Sequence, residues 1–264
     1  MAEAVVDRYA GVVLDIDGVL LRGSDPIAGA PDAVAALREH GVELVFVTNN
    51  AAATPARMAE RLEASGVPAA PDAIVTSALA AAVLIEPSTR CLVIGEDGLR
   101  SALDERGCVV VEDPDEAEVV VVGWSRNLVW DDLRRATLAI GAGARFIGTN
   151  ADVSYPASEG KLPGNGAILA ALSAATGREP EIAGKPEAPL YRAAAARLPD
   201  GPLLMVGDRL DTDIKGAAAL GWDTALMLTG VTDSYESAGG SSEPTYVLER
   251  LEELLEPPAT ADSG

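Results

Sequence analysis

The chain has only two cysteines, one histidine and three lysines in 264 residues. Cys91 and Cys108 are too few and too isolated for a disulfide framework or a thiolate metal centre, so a reducing, cytoplasmic setting is expected. His40 stands beside Gly41 at the end of a predicted helix, where a charged imidazole complements the helix dipole and has no catalytic task. Aromatic residues make up just 4% of the chain, so Trp124, Trp130 and Trp222 are expected to pack rather than to form a ligand platform. Basic charge is also scarce. A net charge of −21 repels phosphate polymers and anionic bilayers, which excludes nucleic acid and membranes as partners. No apolar run approaches the length of a membrane span, and no basic-then-apolar leader opens the chain.

Against these absences stands an apolar content of 48%, rich in alanine and valine, enough for a substantial core. Its most informative stretch is Gly11-Val12-Val13-Leu14-Asp15-Ile16-Asp17-Gly18, an apolar run that ends in two carboxylates. A continuous apolar run suits a parallel strand covered on both faces, and ligands collect beyond the carboxyl ends of such strands. Two anions one residue apart raise each other's pKa unless a partner neutralises them, and a hard cation such as Mg²⁺ does so.

Strands alternating with helices follow. Helices are predicted over 31–40, 55–65, 78–85, 98–106, 132–142, 166–175, 188–197 and 212–219. The strands between them fall at 43–47, 73–75, 91–94, 108–111, 118–122, 145–147, 203–206 and 224–228. A polar loop over 233–244, an amphipathic helix over 248–255 and a tail from 257 complete the chain. The alternation restarts near 88, which predicts a second domain.

Four expected strand ends carry polar residues: Asp15 with Asp17, Thr48-Asn49-Asn50, Gly184-Lys185-Pro186, and Gly207-Asp208 running on to Asp213. Right-handed crossovers place such ends along one edge of a sheet. Each residue type has a task if the ligand is a phosphate ester. Asp15 is the candidate nucleophile, and Asp17 the acid and base that protonates the leaving alkoxide and then activates water. Thr48 and Asn49 offer hydroxyl and amide donors, and Lys185 offers fixed positive charge. Asp15, Asp17 and Asp208 form the expected Mg²⁺ shell, with Asp213 orienting its neighbours.

These motifs, in this order, resemble those of the haloacid dehalogenase superfamily. Asp15-x-Asp17-Gly18-Val19, Thr48-Asn49-Asn50, Gly184-Lys185-Pro186 and Gly207-Asp208-Arg209-Leu210-x-Thr212-Asp213 are similar to subfamily IIA phosphatases. The resemblance covers essentially the whole chain and implies an α/β fold: a Rossmann-like parallel-sheet core with an inserted α/β cap domain of the C2 type. It also implies Mg²⁺ as cofactor and adds Gly18 and Asn50 to the phosphate-binding residues. From Asp15 to Thr48 is 48 − 15 = 33 residues, but from Thr48 to Lys185 is 185 − 48 = 137, so the cap is expected after the second motif. The expected division is 1–87 and 180–264 for the core and 88–179 for the cap. Thr149-Asn150-Ala151-Asp152 and Pro163-Gly164-Asn165-Gly166 look like cap segments of this subfamily, and Tyr155 is the candidate specificity contact. The chain departs at Ala51, where related sequences often carry serine.

The expected activity is hydrolysis of a small phosphomonoester, with phosphoglycolate, glycerol phosphate, sugar phosphate, nucleoside monophosphate, pyridoxal phosphate and the artificial p-nitrophenyl phosphate as candidates. A homodimer through the cap is compatible with this reading. A dehalogenase gives Asp17 no task, and a phosphomutase usually carries its cap between the first two motifs. The non-enzymatic alternative is a phosphate-sensing or receiver-like module.

Overall fold

The structure is a computed structural model that describes residues 3–157, 159–236 and 243–258. Contacts divide the chain into two units: Met1–Val47, Met58–Ile74 and Ala194–Gly264 form the first, and Thr48–Arg57 with Val75–Ala193 the second.

In chain order, β1 (Gly11–Asp15) leads through a short hairpin, β2 (Leu21–Arg22) and β3 (Asp25–Pro26), to α1 (Ala30–Glu39), β4 (Leu44–Thr48) and α2 (Pro55–Ala64). Then come β5 (Ile74–Thr76), α3 (Ser77–Val83), β6 (Arg90–Ile94), α4 (Asp97–Glu105), β7 (Val109–Val110), β8 (Val119–Val122), α5 (Trp130–Ala142) and β9 (Arg145–Gly148). A hairpin of β10 (Ser154–Ala157) and β11 (Gly160–Pro163) precedes α6 (Asn165–Thr176), β12 (Glu181–Ile182) and α7 (Ala188–Ala195). The chain closes with β13 (Leu203–Gly207), α8 (Lys215–Ala218), β14 (Asp223–Met227) and β15 (Tyr246–Leu248).

The first sheet has the order β15-β14-β13-β1-β4-β5. Strand β1 pairs in parallel with β13 from Gly11↔Leu203 to Leu14↔Val206, and with β4 from Val12↔Leu44 to Asp15↔Val47. It is buried along its whole length, as a strand paired on both sides and covered on both faces must be. Helix α1 buries Ala30, Ala33, Val34 and Leu37, one face of a 3.6-residue period. Successive strands run outward from β1 in one direction and from β13 in the other. The β1/β13 boundary is therefore the topological switch point, where diverging connections leave a crevice at the carboxyl ends.

The second unit repeats this logic. Its sheet, β12-β9-β8-β6-β7, is parallel throughout, with Cys91↔Val119 to Ile94↔Val122 at its centre. Leu92, Ile94, Val120, Val122, Ile140, Phe146, Leu169 and Leu172 form one apolar cluster beneath α5 and α6. The switch point here lies between β6 and β8. Among the described residues no helix is long and apolar enough to cross a membrane.

Three expectations are corrected. The helix expected over 248–255 is instead β15, paired from Ala225↔Tyr246 to Met227↔Leu248, followed by a 3₁₀ turn at Leu251–Leu255. Pro257 and Pro258 stop the chain before a third helical turn, while Leu251 and Leu254 bury at the three-residue spacing of a 3₁₀ turn. The helix expected over 212–219 begins with a wide π-type turn, Leu210–Ile214, and only Lys215–Ala218 is α-helical. Trp130, expected to pack, is instead 79% exposed at the first residue of α5. Tyr155 lies in an antiparallel hairpin, opposite Leu162. Residues 237–242 of the expected loop and 259–264 of the expected tail lie outside the described residues.

Candidate active site

The switch point of the first sheet gathers acid. Asp15 ends β1, Asp208 follows β13, and Asp213 lies in the π-type turn beyond it. One carboxylate oxygen from each lies within 4.8 Å of the others, and all three residues are more than nine-tenths buried. Two anions at that separation repel by about 3 kcal/mol at an effective dielectric constant of about 20. The arrangement therefore fits a hard cation with oxygen ligands.

Backbone geometry fixes these acids. The Val231 N–H donates to Asp208 Oδ2 at 2.6 Å, and the Arg209 N–H to Asp213 Oδ2 at 3.1 Å. The wide turn permits the second bond, because the Asp213 and Ile214 N–H groups both return to the Arg209 carbonyl, at 3.0 and 3.2 Å. Gly18, at φ +96°, and Gly230 press against Asp208, and a Cβ on either would overlap its carboxylate. Asp211, in the same run, points away from this cluster: its carboxylate bonds Arg209 at 2.9 Å, which holds it below the usual carboxylate range.

Asp17 is placed differently. Its side chain is half exposed, and Oδ1 accepts a hydrogen bond from Arg61 Nη2 at 2.8 Å. Arg61 also donates to the Gly23 carbonyl at 2.5 Å, so one guanidinium holds both ends of the turn that follows β1. The Gly18 carbonyl accepts from Thr229 Oγ1 at 2.7 Å, tying the same turn to the end of β14.

The other predicted residues meet in the second unit. Thr48 Oγ1 accepts from the Asn50 N–H at 3.0 Å, and Asn50 Oδ1 from the Ala52 N–H at 2.8 Å, which folds the chain back after β4. Asn49 bonds Lys185 in both directions: the Lys185 N–H donates to Oδ1 at 2.8 Å, and Nδ2 donates to the Lys185 carbonyl at 3.1 Å. The same Nδ2 reaches Asp152 Oδ2 at 3.1 Å. Thr48 and Lys185 are both buried.

Tyr155 does not join that group. Its ring meets Trp124 edge-on at 5.7 Å, while the Arg126 guanidinium lies 5.9 Å from the Trp124 ring centre. Trp124 lines a cleft of about 390 Å³ with Arg57, Glu96, Asp97, Arg126 and Asn127, and Ala52 and Ala53 complete its wall. Glu96 and Trp124 follow β6 and β8, so the cleft sits at the second sheet's own switch point. Glu96 Oε1 accepts from Ser125 Oγ at 2.9 Å and from the Arg126 N–H at 2.8 Å, fixing one wall.

Sequence reasoning missed Arg61, Trp124 and the Asp208 support from Gly230-Val231. Arg61 had no visible signal, being one of several charges on an amphipathic helix. The glycine after the last long strand was a signal in retrospect, since a backbone N–H can approach a carboxylate closely only where no side chain intervenes.

The chain is similar to known proteins over most of its length. A family profile described as haloacid dehalogenase-like hydrolase matches residues 12–109, and a second, HAD-hydrolase-like, matches residues 182–254. An acid sugar phosphatase from Staphylococcus haemolyticus is 39% identical over 249 residues, covering 92% of this chain and 94% of its own. A 5'-nucleotidase from Bacillus subtilis is 36% identical, covering 94% and 98%. The crystal structure of a glycerol phosphate phosphatase from Mycobacterium tuberculosis in complex with magnesium superposes with a TM-score of 0.89 at 36% identity, over 97% of this chain and 79% of that one. The chain has the α/β architecture of a Rossmann-like parallel-sheet core with an inserted C2-type cap, matching solved phosphatase structures of this superfamily. The chain belongs to the haloacid dehalogenase-like hydrolases, as a phosphoric monoester hydrolase of the subfamily IIA phosphatase branch.

Proposed function

We propose that the protein hydrolyses the phosphomonoester of a small polyol or sugar through an aspartyl-phosphate on Asp15, with Mg²⁺ as cofactor. The observation that carries the chemistry is the buried cluster of Asp15, Asp208 and Asp213 at the switch point. The carboxylates of Asp15, Asp208 and Asp213 would hold Mg²⁺, which when bound would screen the phosphate dianion from Asp15 and polarise the phosphoryl group. The Asp15 carboxylate attacks phosphorus, and the ester P–O bond breaks. Asp17 gives its proton to the leaving oxygen. It then takes a proton from water, whose oxygen attacks the aspartyl-phosphate, releasing inorganic phosphate and restoring Asp15. Gly18, Thr48, Asn49, Asn50 and Lys185 bind the phosphoryl oxygens, with Lys185 supplying their positive charge.

The leaving group is read by the cleft beside Trp124. Ala52 and Ala53 line it two and three residues after Asn50, so one loop serves both the phosphate residues and the cleft. An aromatic face bordered by Glu96, Asn127 and Arg126 suits the alternating C–H and O–H faces of a polyol, and the volume suits a small one. Tyr155 supports Trp124 from the edge. Relatives named for acid sugar, nucleotide and glycerol phosphate substrates bracket this choice. We assign 1–87 and 180–264 to the core and 88–179 to the cap; the two separate sheets support two domains, with β12 at Glu181–Ile182 pairing into the second sheet beyond the later boundary.

A panel of sugar, glycerol, nucleoside, glycolate, pyridoxal and p-nitrophenyl phosphates, assayed for phosphate release with Mg²⁺ and with EDTA, tests the reading. Metal-dependent release, fastest for a sugar or glycerol phosphate, is expected. Preference for a nucleotide would overturn the polyol assignment. A phospho-Asp15 that persists for minutes with Mg²⁺ present would favour a phosphate-sensing module instead.

A further inference from the structure

Three asparagine side chains link the start of α6 to Lys185. Asn165, the first residue of α6, is almost wholly buried. Its Nδ2 donates to the Val122 carbonyl at 3.1 Å and the Asn150 carbonyl at 2.8 Å, with a longer contact to Thr149 Oγ1 at 3.4 Å. Asn150 Nδ2 in turn donates to the Asn49 carbonyl at 2.8 Å, which also accepts from Ser77 Oγ at 2.7 Å. Asn49 then holds the Lys185 main chain through both its N–H and its carbonyl. The ends of β8, β9 and β4 and the segment carrying Lys185 are thus joined by amide groups of one residue type, all inside one unit.

The chemistry of this chain explains why asparagine stands at each step. Every link uses a side-chain donor aimed at a main-chain carbonyl, and a carboxamide offers two N–H donors on one uncharged nitrogen where a hydroxyl offers one. Asn165 Oδ1 has no hydrogen-bond partner among the described residues, a standing cost for a buried acceptor. The side chain is therefore retained for its donor end. Aspartate would oppose an anionic oxygen to the same acceptors, and leucine would leave two carbonyls without their donor. Gly184 completes the fit: a Cβ there would lie 2.5 Å from Asn49 Oδ1 and 2.6 Å from the Thr149 carbonyl oxygen.

We infer that Asn165 is a positioning residue for phosphate binding, acting through Asn150 and Asn49 on the Lys185 main chain and the turn after β4. The inference rests on the proposed roles of Thr48, Asn49 and Lys185. A displaced binding group loses affinity without any change in chemistry, because correct placement is paid for in advance by the fold.

The test uses Asn165→Ala and Asn150→Ala in the full chain, with two independent readouts. Hydrogen exchange at the Lys185 amide needs no turnover, and it is expected to accelerate in both variants. The inhibition constant of inorganic phosphate and the KM are expected to rise about three- to tenfold, with a smaller change in kcat, since each variant loses one hydrogen bond of the path to Lys185. In a cycle with Asn49→Ala, adding Asn165→Ala is expected to cost little further affinity, because both act through one path. Unchanged Lys185 exchange in a folded variant overturns the relay, whether or not the protein turns over phosphate esters. Faster exchange with unchanged KM and phosphate inhibition, or additive losses in the cycle, overturns the positioning role. Should Asn165→Ala fail to fold, Asn150→Ala carries the same readouts, and inactivity of the wild-type protein bears on the proposed function alone.

Discussion

Arg61 Nη2 lies 2.8 Å from Asp17 Oδ1, and the pair is partly open to solvent, the side chains being 31% and 50% exposed. An ion pair this exposed contributes about 0–1 kcal/mol to stability. Arg61→Gln should therefore lower stability by no more than about 1 kcal/mol. Asp17→Asn, which removes the proposed acid and base, should lower kcat by about 10²- to 10⁴-fold while leaving the melting temperature nearly unchanged. Thermal unfolding alongside steady-state kinetics of both variants checks this.

The buried acids of the first sheet predict a crossover between stability and metal response. Without metal, Asp15, Asp208 and Asp213 repel one another, so Asp208→Asn should raise the Tm of metal-free protein; its amide oxygen can still accept the Val231 N–H. With saturating Mg²⁺ the wild-type chain should gain about 2.7 kcal/mol at a hundred times Kd, and the variant far less. Thermal shifts with Mg²⁺ and with EDTA measure both. A variant that keeps the wild-type Mg²⁺ shift would remove Asp208 from the metal site.

Tyr155 and Trp124 predict a division between ring and hydroxyl. The edge-on contact belongs to the Tyr155 ring, so Tyr155→Phe should leave KM for the preferred substrate unchanged. Tyr155→Ala loses a contact worth about 0.5–1.5 kcal/mol, which corresponds to roughly a two- to tenfold rise in KM if it is all expressed in the cleft. Trp124→Ala should raise KM at least as much. Kinetics of the three variants against one sugar phosphate decide it.

Burial, with Cys108 beside it, pushes the Cys91 thiol from 9.0 up to about 12. The folded chain thus keeps a proton that the unfolded chain releases. This contribution is fully present below about pH 9 and falls as pH rises towards 12. Urea unfolding at pH 8 and pH 10.5 should show a steeper loss for wild type than for Cys91→Val. A neutral alkylating reagent at pH 8 should spare Cys91 until the chain unfolds.

Much of this was legible in the sequence because a parallel strand buried on both faces writes itself as an unbroken apolar run. Val12-Val13-Leu14 and Leu203 to Val206 announced the two strands whose ends carry Asp15 and Asp208. Periodicity also placed α1, α4 and α6 to within a residue or two. It failed where a distant strand pairing or a local side-chain bond decides the conformation. Leu248 belongs to a strand because it pairs with Met227, more than twenty residues away, and no local pattern records that. Asp213 enters the acid cluster because the turn before α8 is wide, which the sequence does not show. The asparagine links were invisible for a related reason: Asn49, Asn150 and Asn165 are ordinary turn or helix-start residues until the fold brings them together.

Attack of the Asp15 carboxylate on phosphorus is measured by phosphate release from p-nitrophenyl phosphate with Mg²⁺ in wild type and Asp15→Asn. Metal-dependent release by wild type, none above background by the variant, and the same circular dichroism for both would bear the mechanism out. Turnover by folded Asp15→Asn at a rate near wild type would contradict it.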